Sequence, residues 1–156
     1  HRMTAQNNMD HPHKITGLSK ANARQLAQLV EMVAEEAGLS SRSIYGPDQD
    51  QFAVAFRRAL WWVFREGYLL TYVNIAKIFK SANGGHFNHT SVITGINKVK
   101  EEGLLVFSES KGRWVSRSGV SCSDVRLRQA LQITAAIWNE INPQNRLKTW
   151  TRTNSQ

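Results

Sequence analysis

The segment 83–92, NGGHFNHTSV, concentrates residue types that bind metals, phosphates or nucleic-acid bases. His86 and His89 are three residues apart, a spacing that can place two imidazoles on one zinc ion. A zinc site needs more ligands than these two, however, and no second cysteine or histidine cluster lies near them in the chain. The two glycines suggest a phosphate-binding loop, but the lysine that such a loop requires is missing. The segment therefore predicts neither a metal nor a nucleotide.

Contact with DNA is the interpretation that the remaining polar residues favour. Asn88 or His89 opens a predicted helix that runs to about Glu102, with apolar residues on one face and threonines on the other. In the helix-turn-helix arrangement the second helix presents its first residues to base edges. The hydroxyls of Thr90 and Ser91 can bond bases or phosphates, and the N–H groups at the helix start attract phosphate. Helix capping is an alternative role for these side chains, and it is compatible with DNA contact.

Cap residues and apolar spacing predict the elements that position this cluster. Ser19 begins a first helix that Gly38 ends, and residues 39–50 form a connecting loop. A second helix covers residues 51–66 and has a wide apolar stripe. Its arginines, including Arg57, are predicted to lie off that stripe.

The third predicted helix, residues 71–79, precedes the recognition helix, and an enlarged turn of residues 80–88 joins the two. We therefore assign residues 19–103 to a helix-turn-helix DNA-binding domain. Residues 1–18 are polar and lack apolar periodicity, which predicts a flexible tail. Residues 104–156 form a basic C-terminal extension, and the predicted fold class is mainly α.

The extension begins with two alternating segments around a glycine turn, which predict a short β-hairpin in the place where winged helices carry a wing. Lys111 and Arg113 would then face phosphates while Trp114 packs beneath them. A final helix begins at Ser123 or Asp124 and carries one apolar stripe. That stripe either packs onto the first helix or pairs with its copy in a dimer.

Composition restricts the classes of partner. The chain has 156 residues and a formal net charge of +8 at pH 7, which favours a polyanionic partner such as double-stranded DNA. The single cysteine, Cys122, excludes an intramolecular disulfide, and no apolar run reaches the ~20 residues that span a membrane. We expect a cytoplasmic, nucleoid-associated protein without membrane contact.

No set of residues predicts catalysis. The carboxylate pairs Glu35–Glu36 and Glu101–Glu102 are adjacent on predicted helices, so their side chains point apart. Cys122 has no demonstrable histidine partner, and an inert thiol is the simpler interpretation. We expect no enzymatic activity, no cofactor and no small-molecule substrate.

Three segments together resemble the C-terminal DNA-binding domain, domain IV, of DnaA replication initiators. They are IAKIF at 75–79, NHTSV at 88–92 and INKV at 96–99, and the surrounding helical pattern extends the resemblance over about residues 22–102. The resemblance implies a helical domain that binds double-stranded DNA. The sequence contains nothing that matches the ATPase module of that family, so it resembles the DNA-binding domain used alone.

The resemblance also implies which residues touch DNA. The family's Asp-His-Thr-Thr cluster reads bases in the major groove, and it corresponds here to Asn88, His89, Thr90 and Ser91. The family's phosphate-contacting arginine is most nearly matched by Arg57. The helix before the recognition helix also approaches the duplex in the family, and the matching residues are Tyr72, Val73 and Lys77.

Three departures from the family pattern change what we expect. Asn88 replaces an acidic residue, and because asparagine prefers adenine where a carboxylate accepts from cytosine, the sequence that is read can differ. The loop 46–51, GPDQDQ, is acidic where the family's loop is basic and enters the minor groove, so that contact is expected to be absent. The turn before the recognition helix is lengthened, and Lys80 and His86 on it are candidate backbone contacts.

We therefore predict a sequence-specific double-stranded DNA-binding protein that acts in replication or in the regulation of a mobile element or phage. Two alternatives stay open: a phage small-terminase-like DNA-binding assembly protein that forms higher homo-oligomers, and a protein-interaction module that has kept the fold. The predicted DNA contacts are Asn88, His89, Thr90, Ser91, Thr94, Lys98, Arg57, Arg58, Tyr72, Lys77, Lys80, His86, Lys111 and Arg113.

Overall fold

The computed structural model describes residues 18–81, 85–103, 105–108, 110–117 and 124–142, together with Pro12. These residues form helices and one two-stranded antiparallel hairpin, which confirms the mainly helical fold class. The predicted tail apart from Pro12 and Leu18, the residue Cys122 and the segment after Asn142 lie outside the described residues. In chain order the elements are α1 Lys20–Ala37, α2 Ser41–Tyr45, α3 Gln51–Gly67, α4 Tyr72–Ile78, α5 His89–Glu102, β1 Leu105–Ser108, β2 Arg113–Ser116 and α6 Val125–Ile141.

Each of these helices begins at a polar side chain that accepts a hydrogen bond from a backbone N–H of the first turn, which satisfies a donor that the helix itself leaves unpaired. The caps are Ser19, Ser40, Asp50, Thr71, Asn88 and Asp124. The predicted starts at Ser19, Asn88 and Asp124 are confirmed, as is the end of α1 at Gly38 in the left-handed conformation.

Helix α2 is a correction to the sequence analysis, which predicted a loop over residues 39–50. The Ser40 hydroxyl accepts from the Ser43 N–H at 3.1 Å and starts the helix. Ile44 and Tyr45 are buried at its end. A single helical turn is too short to show apolar periodicity, so packing, rather than local pattern, fixes it.

Helix α3 runs through the middle of the hydrophobic core. On one side of the helix, Phe56, Leu60 and Phe64 are completely buried. Trp61 and Trp62 project from other sides of the helix and are almost completely buried too. The other helices and the hairpin supply further buried residues of the same cluster, and Tyr68, Leu70 and Phe79 between the helices belong to it as well. Since each large apolar side chain contributes roughly 1.5–3 kcal/mol on burial, this one helix organises much of the stability.

The C-terminal helix α6 packs against α3 and α1, which is the first of the two arrangements expected for it. Leu127, Leu131 and Trp138 are buried. The Trp138 ring meets Tyr68, at the end of α3, with 6.1 Å between ring centroids. The boundary after Gly103 therefore does not divide the core, because residues on both sides of it belong to one buried cluster.

The predicted hairpin is confirmed, with Val106 opposite Val115 and Leu105 opposite Ser116. Trp114 is buried, as expected, and its ring lies 4.5 Å from that of Trp62. The side-chain amide of Asn139 on α6 accepts from the Trp114 N–H at 2.8 Å and donates to its carbonyl at 3.0 Å. The Asn139 amide thus satisfies the two backbone groups of Trp114 that a third strand would otherwise bond, and it links β2 to α6.

Candidate nucleic-acid interface

The first turn of α5 presents the residues that were predicted to read bases. The Oδ1 atom of Asn88 accepts from the Thr90 N–H at 2.8 Å, so the capping role expected as an alternative is real. Asn88, His89, Thr90 and Ser91 are all exposed. Thr94, one turn further on, is also exposed, and its hydroxyl donates to the Thr90 carbonyl at 3.0 Å. The cap fixes this turn while leaving its side chains open to a partner.

The opposite face of α5 packs against α3. Val92, Ile96 and Val99 are buried on that face. Gly95 allows close approach, because a Cβ atom there would lie 2.8 Å from two ring carbons of Trp61. The polar first turn is therefore carried by a rigid element, which is what a geometrically specific contact needs.

The enlarged turn between α4 and α5 is closed at its base. Lys80 and His86 form an antiparallel bridge, and the Phe87 N–H donates to the Phe79 carbonyl at 3.2 Å. The Lys80 N–H in turn donates to the Tyr45 carbonyl at 2.8 Å, which ties the turn to the end of α2. Residues 82–84, at the tip, lie outside the described residues. Lys80 and His86 are exposed next to the first turn of α5.

Helix α4 contributes one exposed cation, Lys77, and an aromatic ring that is already engaged by a cation of α3. Lys77 and Val73 are exposed, the latter at 47%. Tyr72 is half-buried, and the Arg65 guanidinium lies over its ring at 4.3 Å from the centroid. Arg65 also donates to the Leu70 carbonyl at 3.1 Å. The Tyr72 ring is thus already in contact with the Arg65 guanidinium inside the fold.

Arg57 differs from its predicted role. Its side chain is only 3% exposed. The guanidinium donates to the carbonyls of Ser43, Ile44 and Asp48 at 2.8–2.9 Å. Burial lowers the pKa of Arg57 to about 10, an effect that the nearby Asp48 opposes and Arg58 increases, and the group remains charged at neutral pH. Because it is enclosed and bonded internally, we remove Arg57 from the candidate interface and assign it to the fold.

Arg58, the next residue, lies on a different side of α3. It lines a groove of about 400 Å³ together with Lys98 of α5 and Arg126 of α6. Arg58 and Lys98 are predicted DNA contacts, whereas Arg126 is not among the residues predicted from the sequence. Only the packing of α6 against α3 brings the three together, and a local pattern does not contain that information.

Lys111 and Arg113 are exposed on the hairpin, but they line a separate cavity with Glu140, near the C-terminal end of α6. Arg126 lies near the other end of that helix. At 1.5 Å per residue the two positions are about 20 Å apart along α6. The structure therefore does not place the two hairpin cations in the groove with Lys98.

Charge has one sign over residues 67–100, which cover α4 and α5 up to its last two residues. Between Glu66 and Glu101 the chain contains no aspartate or glutamate, and it contains Lys77, Lys80, Lys98 and Lys100. All four lysines are exposed. Exposed lysines of this kind attract a polyanion and repel basic proteins. The sequence alone carries this signal, although the analysis of total charge did not isolate it.

The described residues define the class as a mainly helical protein with an exposed, polar and cationic helix start. No family model, curated protein or solved structure matches the chain. Within the described ranges, no three histidine, cysteine, aspartate or glutamate side chains form a group that could hold a metal ion. None of the helices described here is long and apolar enough to cross a membrane.

Proposed function

We propose that the protein binds double-stranded DNA in a sequence-specific manner and has no enzymatic activity. In this proposal α4 and α5 form a helix-turn-helix unit, and α5 is the recognition helix. The observation that carries the proposal is the first turn of α5, where Asn88, His89, Thr90 and Ser91 are exposed together in a stretch, residues 67–100, that contains lysines and no acidic residue. Such a turn offers hydrogen-bonding side chains to base edges and N–H groups to phosphates.

The hydrogen bonds of the first turn refine the roles of its side chains. Asn88 uses one lone pair of Oδ1 for the cap, and no described residue engages its amide N–H groups. Those donors are available to a purine N7 or a phosphate. Thr90 and Ser91 offer hydroxyls, and Lys77, Lys80 and His86 surround them with groups suited to the DNA backbone.

The resemblance to domain IV of DnaA initiators supports a role in replication, or in the regulation of a mobile element or phage, with action at the nucleoid. Both the helix order and the H-T-S-V element belong to that resemblance. The enlarged turn and Asn88 remain departures from it. We therefore propose the family's mode of DNA contact without its recognition sequence.

The two alternative functions gain no particular support from the contacts. The feature of the sequence that most favours a protein-interaction module is the acidic loop 46–51. In the structure Asp50 caps α3, and Asp48 accepts from the Asp50 N–H at 2.9 Å. These carboxylates thus have local structural roles. Size-exclusion chromatography with light scattering tests the assembly alternative, because a ring of many copies would favour it over a monomeric or dimeric regulator.

Fluorescence anisotropy with labelled duplexes tests the proposal. A preferred duplex is first selected from a random pool, and affinity is then measured on it and on random DNA at several salt concentrations. We expect binding that weakens steeply with salt. Thr90→Ala and His89→Ala should reduce the preference for the selected duplex, by roughly 1–3 kcal/mol where a base contact is lost.

Lys80→Ala should instead weaken both duplexes equally and reduce the salt slope by about 0.9, the value expected for one phosphate contact. Lys20→Ala is the matched control, since Lys20 is an exposed lysine at the start of α1, away from this surface. Absence of binding to every duplex at low salt would reject the proposed function. Equal losses on both duplexes for all the α5 variants would reject the assignment of base contacts.

A further inference from the structure

Three cations from three helices meet in the groove described above, which we call the basic groove. Arg58 comes from α3, Lys98 from α5 and Arg126 from α6. Gln49 and Gln51 add polar side chains to its lining, and Val54, Ala55 and Leu127 add apolar ones.

None of the three cations has a hydrogen bond or ion pair with another described residue. Among the described residues that line the groove, Asp124 alone is acidic, and its Oδ1 accepts from the Leu127 N–H at 3.1 Å as the cap of α6. Like charges held close together repel, and the repulsion is relieved when an anion binds between them. The contrast with Arg57 is direct, because the guanidinium of that residue donates to three backbone carbonyls of the protein.

The basic groove continues from the polar face of α5. Thr94 and Lys98 are one helical turn apart, so their side chains lie on neighbouring parts of one face. From Thr90 to Lys98 the helix advances about 12 Å. One DNA strand carries a phosphate for about every 3.4 Å of helix axis, so both places can be reached by a single stretch of backbone.

We infer that the basic groove binds a backbone phosphate of the same duplex that the first turn of α5 reads. The inference rests on the proposed function and adds to it a DNA contact supplied by the C-terminal extension. Arg126 is the residue that the extension brings to the complex, and Arg58 and Lys98 complete the groove. Because a phosphate carries no base identity, this contact strengthens binding to all sequences.

Arg126→Gln tests the inference, with Arg128→Gln as the matched control. Both residues lie in the first turns of α6, but they are two positions apart and so face opposite sides of the helix. Only Arg126 lines the groove. Arg126 is exposed, so the substitution should leave the melting temperature unchanged, which circular dichroism can verify. Affinity for a duplex is then measured by anisotropy over a range of salt concentrations.

We expect Arg126→Gln to lower affinity about three- to tenfold on selected and random duplexes alike, and to make the salt slope shallower by about 0.9. Lys98→Gln should give the same pattern, and Arg128→Gln should leave both quantities close to the wild-type values. If the wild type binds DNA but Arg126→Gln and Arg128→Gln behave alike, the groove inference is overturned and the proposed function stands. If the wild type binds no duplex, both are overturned.

Discussion

Two regions of the molecule use cations in opposite ways. At the corner between α2 and α3, Arg57 is enclosed and donates to three backbone carbonyls. On the α4–α5 surface, Lys77, Lys80 and Lys98 are exposed and have no hydrogen-bonding or ion-pair partner among the described side chains. The first arrangement consumes the donors of the charged group inside the fold. The second leaves them available, so the number of unused donors, and not the charge itself, distinguishes a binding surface from a structural contact.

Arg57→Met removes the structural cation and should have the largest effect. Methionine fills a similar volume, but three carbonyls lose their donor in a buried place. Each carbonyl left without a donor costs about 1–3 kcal/mol, so we expect a total loss of about 3 kcal/mol or more. Urea denaturation at neutral pH, followed by circular dichroism, should show that the urea concentration at the unfolding midpoint falls in proportion to this loss of free energy of unfolding.

Arg58→Met is the control for that experiment, because Arg58 is partly exposed and has no described hydrogen-bond partner. It should change the free energy of unfolding by less than about 1 kcal/mol, as surface substitutions usually do. If the two variants were equally stable, the comparison between the corner and the surface would fail, and Arg57 would return to the list of candidate DNA contacts.

Gly95→Ala tests the junction between the two regions, where α5 rests on Trp61 of α3. Alanine favours a helix over glycine by roughly 0.5–1 kcal/mol, so propensity alone predicts a gain. A Cβ atom would lie 2.8 Å from the Trp61 ring, however, and overpacking of this kind typically costs 1–3 kcal/mol. We expect a net loss of about 1–2 kcal/mol in urea denaturation, together with weaker DNA binding because α5 is displaced.

Asn97→Ala is the control for Gly95→Ala, since Asn97 is exposed on the same helix and should gain slightly from alanine. A gain in stability for Gly95→Ala as well would show that α5 can shift at no cost. The recognition helix would then not be held rigidly by α3, and the argument for precise positioning of its first turn would be lost.

The contrast also marks what the sequence could predict. Helix starts were predictable because each depends on a local polar cap, as at Ser19 and Asn88, and the hairpin was predictable from alternation around a glycine. The exposed first turn of α5 followed from its helical spacing. These features depend on neighbours in the chain, which a sequence displays directly.

Arg57 could not be placed by the same reasoning, because the apolar stripe predicted on α3 was too narrow. Trp61 follows Arg57 by four residues and therefore shares its side of the helix. Since Trp61 and Trp62 are buried too, α3 is enclosed on nearly all sides and the arginine lies within the core. If the two tryptophans are counted in the apolar stripe, the sequence of α3 alone predicts that Arg57 is buried. The basic groove has no such signal, as it depends on the packing of α6.

Thr134→Val applies the same comparison of hydrogen-bond partners to a neutral group, and it should have the smallest effect on stability. Thr134 is completely buried on α6, and its hydroxyl oxygen has no hydrogen-bond partner among the described residues. A buried hydroxyl without a partner costs about 1 kcal/mol or somewhat more, while valine keeps the same shape. Urea denaturation should therefore show a gain of about 1 kcal/mol, whereas Thr134→Ser, which keeps the hydroxyl and removes a methyl group, should show a loss of about 1 kcal/mol. A loss of stability for Thr134→Val would mean that the hydroxyl has a hydrogen-bond partner in solution. Counting unused donors in the structure would then no longer be a sound way to separate Arg57 from the surface lysines.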